Sequence, residues 1–345
     1  MMDRRFAVGA AFVAAVALGL SLHGAPAAAQ AEPSGPLEVR IIHGTQLSML
    51  VAMMPAKKDI LPKYGKEYTI QTRRIDASSE VATALASGAA DLGTTSTGAL
   101  ISVNTKLNAD LRVVADMIQN GVKEYNAHWF VVRAEDPIKD IRDLKGKTVA
   151  SLGFGTFADL SMRVGMKRAG LDPAKDVTIV QVPFAAMEAN LREKKVDMVF
   201  FIPPFYQIAR AKGGIRVLFT TAETLGPVQA LFLAARGDFL QKNPRRVQAF
   251  FDDYYRFLQY ALDPKNRDEM IELAAKMQNV PADPAKRWWN TREDFYRSPD
   301  GLPTVAGMKE ELRLLKEFGV MDTTVDIDRW VDLSFMRAAA ANFRR

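Results

Sequence analysis

The 345-residue sequence predicts an α/β protein of two lobes, the first interrupted by the second. Three observations carry this reading. Strand-like and helix-like runs alternate through short glycine-containing loops, and the alternation starts afresh after Asp143. A weak internal repeat aligns Glu80-Val81-Ala82-Thr83-Ala84-Leu85 through Asp91-Leu92 with Ala186-Met187-Glu188-Ala189-Asn190-Leu191 through Asp197-Met198. Each copy is a helix, a tight turn and an aspartate that opens a buried strand. Beyond Pro244 the chain reads as almost wholly helical.

Leu37 to His43 alternates like a strand and breaks at Gly44. Gln46 to Lys58 puts Leu47, Leu50, Val51 and Met54 on one helical side, with Pro55 near its end. Tyr68 to Thr72 is a second strand. Ser78 or Ser79 caps a helix that stops at Gly88, and Asp91 to Thr94 begins another strand. Leu111 to Ala115 and Trp129 to Arg133 are strands as well. In the second unit, Asp143 to Lys147 turns into a strand ending at Ala150, and Gly153 to Thr156 opens a helix running from Phe157 to Gly170. Val177 to Val180 is a strand, Ala185 to Lys194 a helix, and Val196 to Ile202 a buried strand. Val228 to Ala235 returns as a strand. Phe250, Tyr254 and Phe257, with Leu258, make a core-facing stripe in the helix that follows, and Trp288-Trp289 read as core too.

Composition narrows the chemistry. The chain has no cysteine, which excludes disulfides, thiolate metal sites and cysteine nucleophiles. It has three histidines, a thin supply for metal or general-base catalysis. The net charge of +6 is mild, and no Lys/Arg block suggests a nucleic-acid footprint. Gly153-x-Gly155 lacks the third glycine of a dinucleotide fingerprint, Ala158 standing there instead. There is no Walker A sequence and no G-x-S-x-G elbow. No catalytic residue, metal ligand or cofactor is therefore expected.

Arg4-Arg5, the apolar run Phe6–Leu22 and the small residues up to Ala31 form the pattern of a cleavable secretory signal over residues 1–31. Cleavage after Ala29 and after Ala31 both fit. A periplasmic location is expected.

Ligands of open α/β sheets bind beyond the carboxyl ends of strands. Three turns there are small, hydroxyl-rich and short of charge: His43-Gly44-Thr45-Gln46, Thr94-Thr95-Ser96-Thr97-Gly98 and Gly153-Phe154-Gly155-Thr156-Phe157. Each can offer backbone N–H groups and hydroxyls to an anion, and each can equally be plain helix capping. Their spread over both lobes favours a site. His43, at a strand exit, is better placed than His128, which reads as a packed strand residue. Phe154, Phe157, Phe184 and the Phe205-Tyr206 pair after Pro203-Pro204 bring aromatic faces to the second lobe's cleft edge. Together these turns and faces suit a ligand with an apolar or aromatic body and an acidic head.

Several segments in this order resemble the substrate-binding proteins of ABC importers in the nitrate/taurine/sulfonate (NMT1/THI5-like) group. They are Gly44-Thr45, Ala84-Leu85-Ala86-Ser87-Gly88 through Gly93, Asp143-Leu144-Lys145-Gly146-Lys147-Thr148-Val149-Ala150, Val196-Asp197 with Pro203-Pro204-Phe205, and Asp238-Phe239-Leu240 through Pro244. The resemblance implies a type II periplasmic-binding-protein fold, two α/β lobes joined by two hinge strands near Trp129–Arg133 and Val228–Leu233. It divides the chain into lobe 1 over 32–133, lobe 2 over 134–228, and completion of lobe 1 with C-terminal helices over 229–345. It implies a monomeric, non-enzymatic receptor that closes on its ligand and docks on permease subunits served by a cytoplasmic ATPase. Its pocket positions fall on His43, Thr45, Gln46, Ser78, Thr94, Thr95, Ser96, Thr97, Gly155, Thr156, Phe157, Phe184, Pro204 and Phe205. The Phe-rich and Pro-Pro segments of lobe 2 favour an aromatic carboxylate or sulfonate over taurine or nitrate. A pyrimidine or thiamine-precursor ligand is the rival, and an enzyme or sensor on the same fold a third reading.

Overall fold

The computed structural model describes residues 35–44, 49–279, 282–322 and 324–344. The expected signal segment, 1–31, lies outside the described residues. In chain order the first sheet is built from β1 (Leu37–His43), β2 (Tyr68–Arg74), β3 (Leu92–Thr95) and β4 (Leu111–Asn120), with helices α1 (Leu50–Met53), α2 (Ser78–Ala86) and α3 (Thr97–Lys106) between them. The second sheet follows as β5 (Trp129–Arg133), β6 (Thr148–Ser151), β7 (Thr178–Gln181), β8 (Met198–Phe201) and β9 (Ile215–Thr220), with α4 (Phe157–Arg168), α5 (Phe184–Arg192) and α6 (Phe205–Ala211). The short helix α7 (Thr221–Leu225) leads back to β10 (Val228–Arg236) in the first sheet. Then come α8 (Gly237–Lys242), α9 (Pro244–Leu262), α10 (Arg267–Gln278), α11 (Val305–Glu317) and α12 (Ser334–Phe343).

The strand orders are β2-β1-β3-β10-β4 and β7-β6-β8-β5-β9. In both sheets three parallel strands are followed by one antiparallel strand that the chain inserts on crossing between lobes: β10 in the first, β5 in the second. The strand Trp129–Arg133, placed by the sequence at the end of lobe 1, therefore sits inside the second sheet. The chain changes lobe at residues 121–128.

The internal repeat has a physical cause. Asp91 accepts the Arg40 backbone N–H at 3.0 Å and donates its own N–H to the Arg40 carbonyl at 2.9 Å. Asp197 does the same with Thr148, at 2.9 and 2.7 Å. Each carboxylate also meets an arginine from the end of the inserted strand: Arg236 of β10 lies 3.5 Å from Asp91, and Arg133 of β5 lies 3.1 Å from Asp197. The aspartate thus locks the third strand of each sheet to the first and to the intruding one. These are charge-assisted bonds at partly buried positions.

Two departures from the sequence reading have local reasons. The helix expected over Gln46–Lys58 is α1 followed by a 3-10 segment, Met54–Ile60, with Pro55 in its first turn. Proline lacks the N–H that a continuous α-helix would need there. The C-terminal region is not all helix: residues 295–304 form a strap across β4. Asp116 donates its N–H to the Gly301 carbonyl at 2.8 Å, Gln119 and Tyr296 exchange backbone bonds, and Ser298 donates its N–H to the Asp116 carboxylate at 2.7 Å. Trp288 and Trp289, like the stripe of Phe250, Tyr254, Phe257 and Leu258, are core as expected.

The two crossovers touch. A Cβ on Gly121, whose φ is +73°, would lie 2.8 Å from the Gly226 carbonyl oxygen, so only glycine fits. Asn120 ties the crossovers together, donating to the Thr221 hydroxyl and accepting the Ala127 N–H at 3.1 Å.

Candidate functional site

Both lobes contribute walls to one cavity. Lobe 1 supplies Asp76, Ser78 and Leu231, lobe 2 supplies Leu152, Thr156, Phe157, Ala158, Phe184 and Phe200, and His128 comes from the crossover. The inner cavity has a volume of about 30 Å³; an outer one of about 460 Å³, which shares Asp76 and Leu152 with it, lies between Arg74 and Glu80 on one side and Gln181 and Pro183 on the other. The inner volume is that of one or two waters, so an organic ligand needs the lobes to part before it enters.

Each wall follows from local sequence. Thr156 is the N-cap of α4: its hydroxyl accepts the Asp159 N–H at 3.3 Å and donates to the Gly153 carbonyl at 2.8 Å. That capping sets the first turn, Phe157 and Ala158, against the cavity. Asp159 is buried, accepts the Gly155 N–H at 2.9 Å and is held by the Arg163 Nε at 3.0 Å. An acidic group at this position complements the positive helix end, and Arg163 offsets its charge. Phe184 opens α5 and stacks on Phe205 at 5.2 Å, so Phe205 backs the wall without forming it. In the outer cavity, Arg74 holds Asp76 at 3.0 Å.

Of the residues singled out in the sequence, the structure brings Ser78, Thr156, Phe157 and Phe184 together around this cavity. Thr45 and Gln46 lie outside the described residues. The hydroxyls of the Thr94–Thr97 turn are mostly spent inside lobe 1. Thr94 accepts the Gly44 N–H at 3.0 Å, Thr95 donates to the Ser78 carbonyl at 2.7 Å, and Ser96 and Ser78 pair through their hydroxyls at 3.2 Å. His43 is buried, its Nδ1 bonded to the Gly44 carbonyl oxygen at 2.9 Å, and burial lowers its pKa. Gly155 stands beside the cavity in a left-handed conformation, φ +72°. Pro204 follows Pro203 through a cis peptide and leads into α6. Phe154 points to solvent, 55% exposed, with Arg163 over its ring at 6.0 Å.

Asp76, His128, Leu152, Ala158, Phe200 and Leu231 were not singled out as cavity residues. His128 is the most informative of these. Its ring packs against Phe157, Phe200 and Phe295 at 5.2, 5.4 and 5.0 Å. Burial pushes its pKa down to about 3, so the imidazole is neutral. Reading Trp129–Arg133 as a lobe 1 strand hid it, because a crossover histidine then resembles a packed one. Among the described residues no group of three or more His, Asp or Glu side chains could hold a metal ion.

A family model described as NMT1-like matches residues 31–275. The putative aliphatic sulfonates-binding protein of Escherichia coli (strain K12) is 27% identical over 301 residues, covering 87% of this chain and 90% of that protein. Two solved structures share the fold. The periplasmic nitrate-binding protein NrtA from Synechocystis PCC 6803 has a TM-score of 0.73 at 16% identity, covering 89% of each chain. The alkanesulfonate-binding protein SsuA from Xanthomonas axonopodis pv. citri, bound to MOPS, has a TM-score of 0.68 at 18% identity, covering 88% of this chain and all of that one (100%).

Proposed function

The chain belongs to the NMT1-like family, and from that premise we propose that it is the periplasmic solute receptor of an ABC importer, taking a small organic anion between its lobes. The observation that carries this reading is the cavity itself: it has walls from both lobes and from the crossover, so a ligand admitted by their parting bridges all three. Such a ligand stabilises the closed state by its differential contacts and thereby presents one surface to a permease. Reading the relatives as binding proteins fits a non-enzymatic role. Two α/β lobes joined at residues 121–128 and 221–227 are the moving parts, and the receptor works as a monomer beside permease subunits and their ATPase.

The ligand class follows from the walls. Phe157, Phe184 and Phe200 offer flat apolar faces, and the first turn of α4 offers N–H groups, which suits an aromatic carboxylate or sulfonate. The name of the Escherichia coli relative weights the choice toward a sulfonate.

Thermal unfolding of residues 32–345 against a ligand panel tests this directly. The panel holds benzoate, benzenesulfonate, butane-1-sulfonate, nitrate and a hydroxymethylpyrimidine. A ligand at about 100 times its Kd adds about 2.7 kcal/mol, a rise in Tm of several degrees. A shift with the aryl anions and none with nitrate is the expected result. A shift with the pyrimidine alone would replace the anion by a vitamin precursor, and silence across the panel would sink the receptor reading for these classes. Thr156→Leu fills the inner cavity and should abolish the ligand-induced shift, while loss of the cap lowers the unliganded stability by only about 1 kcal/mol. An undiminished shift in that variant would remove the α4 terminus from the site.

A further inference from the structure

We propose that His128 is the group that senses the ligand's acidic head, taking up a proton from solvent as the anion enters. The inference rests on the receptor reading above and adds to it the residue and the regulation.

Three facts lead to it. His128 lines the cavity at the junction of the lobes and is 3% exposed. Its Nδ1 is buried without a hydrogen-bond partner among the described residues. A buried polar nitrogen left unpaired is costly, and a ligand oxygen placed beside the ring would remove that cost. The ring is also held still, since Phe157, Phe200 and Phe295 press on it from α4, β8 and the start of the strap.

The charged groups on the surrounding elements are already matched. Asp159 at the start of α4 is held by Arg163, and Asp294 beside Phe295 by Arg297 at 3.2 Å. Asp76, which shares the cavity from lobe 1, is held by Arg74. None of them raises the affinity of His128 for a proton, and burial alone keeps it neutral. An incoming anion would be the first unbalanced negative charge near the ring. It favours the imidazolium, so the pKa in the complex exceeds that of the empty receptor. Linkage then fixes the sign: binding takes up a proton wherever the pH lies between those two values, and affinity weakens as pH rises through that window. No bond of the ligand changes; the proton comes from water and the ion pair formed is neutral overall.

Benzenesulfonate is the probe, because its own charge does not change over the working range. Titration calorimetry in buffers of different ionisation enthalpy, between about pH 5 and about pH 8, reads the protons taken up. The native protein is expected to take up close to one proton at the acid end, with affinity falling by up to about tenfold per pH unit. His128→Gln keeps a polar side chain that does not titrate, and should bind with no proton uptake and no slope. His128→Phe completes the apolar cage and should bind at least about tenfold more weakly at the acid end. Binding by the native protein without proton uptake overturns the proposal, and so does a His128→Phe variant matching it in affinity and slope. The first of these readouts needs no variant to fold. Failure of the native protein to bind any panel anion strikes the receptor reading itself, and is thereby told apart from failure of the histidine's role alone.

Discussion

Arg133→Ala is expected to lower stability by about 3–5 kcal/mol, one of the two largest effects in the molecule. The guanidinium is almost fully buried and serves two structures at once. Its Nη1 donates to the Leu191 and Val196 carbonyls, both at 2.6 Å, closing the turn between α5 and β8. Its Nη2 and Nε reach the carboxylates of Asp197 at 3.1 Å and Asp136 at 3.1 Å. Truncation leaves two carbonyls and two acids short of a partner in a place water enters poorly. The cost is the desolvation of what remains, more than the worth of the pair. Arg133→Lys keeps the charge but has no planar fork to span these acceptors, so it should recover only part of the loss. Urea unfolding of both variants decides the matter: a drop below about 1 kcal/mol for the alanine variant would mean the cluster is solvated after all.

Glu311→Gln should flatten the pH dependence of stability between about pH 5 and about pH 8 and raise stability at the alkaline end by an amount on the order of 3 kcal/mol. Glu311 sits on α11 with no exposed surface, and neither carboxyl oxygen has a hydrogen-bond partner among the described residues. Burial pushes its pKa up to about 8. The native carboxyl therefore keeps its proton where the unfolded one has lost it. That contribution is complete below the unfolded pKa, near 4.3, and is lost as pH rises toward about 8. Glutamine has the same shape and no proton to lose. Tm measured across this range for both proteins gives the difference directly, and parallel curves would show that Glu311 is not buried in solution.

The fold was legible in the sequence to the extent that local pattern carries it. The helix-turn-aspartate repeat around Asp91 and Asp197 marks the third strand of each sheet, and its few shared residues are the ones with a structural task in common. The arginines that complete the motif were not legible, because Arg133 and Arg236 arrive on strands from across the lobe boundary. Position in the chain says nothing about which sheet receives such a strand. The candidate site divides along the same line. Thr156, Phe157 and Phe184 follow strand ends within one lobe and could be placed by turn chemistry. His128, Leu231 and Asp76 reach the cavity only through the meeting of the lobes. The Thr94–Thr97 turn shows a third limit: sequence identifies hydroxyls at a strand end, and packing decides whether they face a ligand or one another.

The insertion of β10 between β3 and β4 governs how the chain can come to its native state. Gln229 and Asp116, bonded side chain to side chain at 2.7 Å, are 113 residues apart. A nascent chain emerging in order has all the strands of the second sheet available before the first sheet receives the strand that joins β3 to β4. Until then β3 and β4 have no common neighbour, and their unpaired edges are open to wrong partners. Such long-range closure makes for slow assembly, since the loop entropy is spent before the contacts that offset it form. It also binds the lobes into one cooperative unit: the second lobe is spliced into the first, and neither can melt fully without drawing on the other.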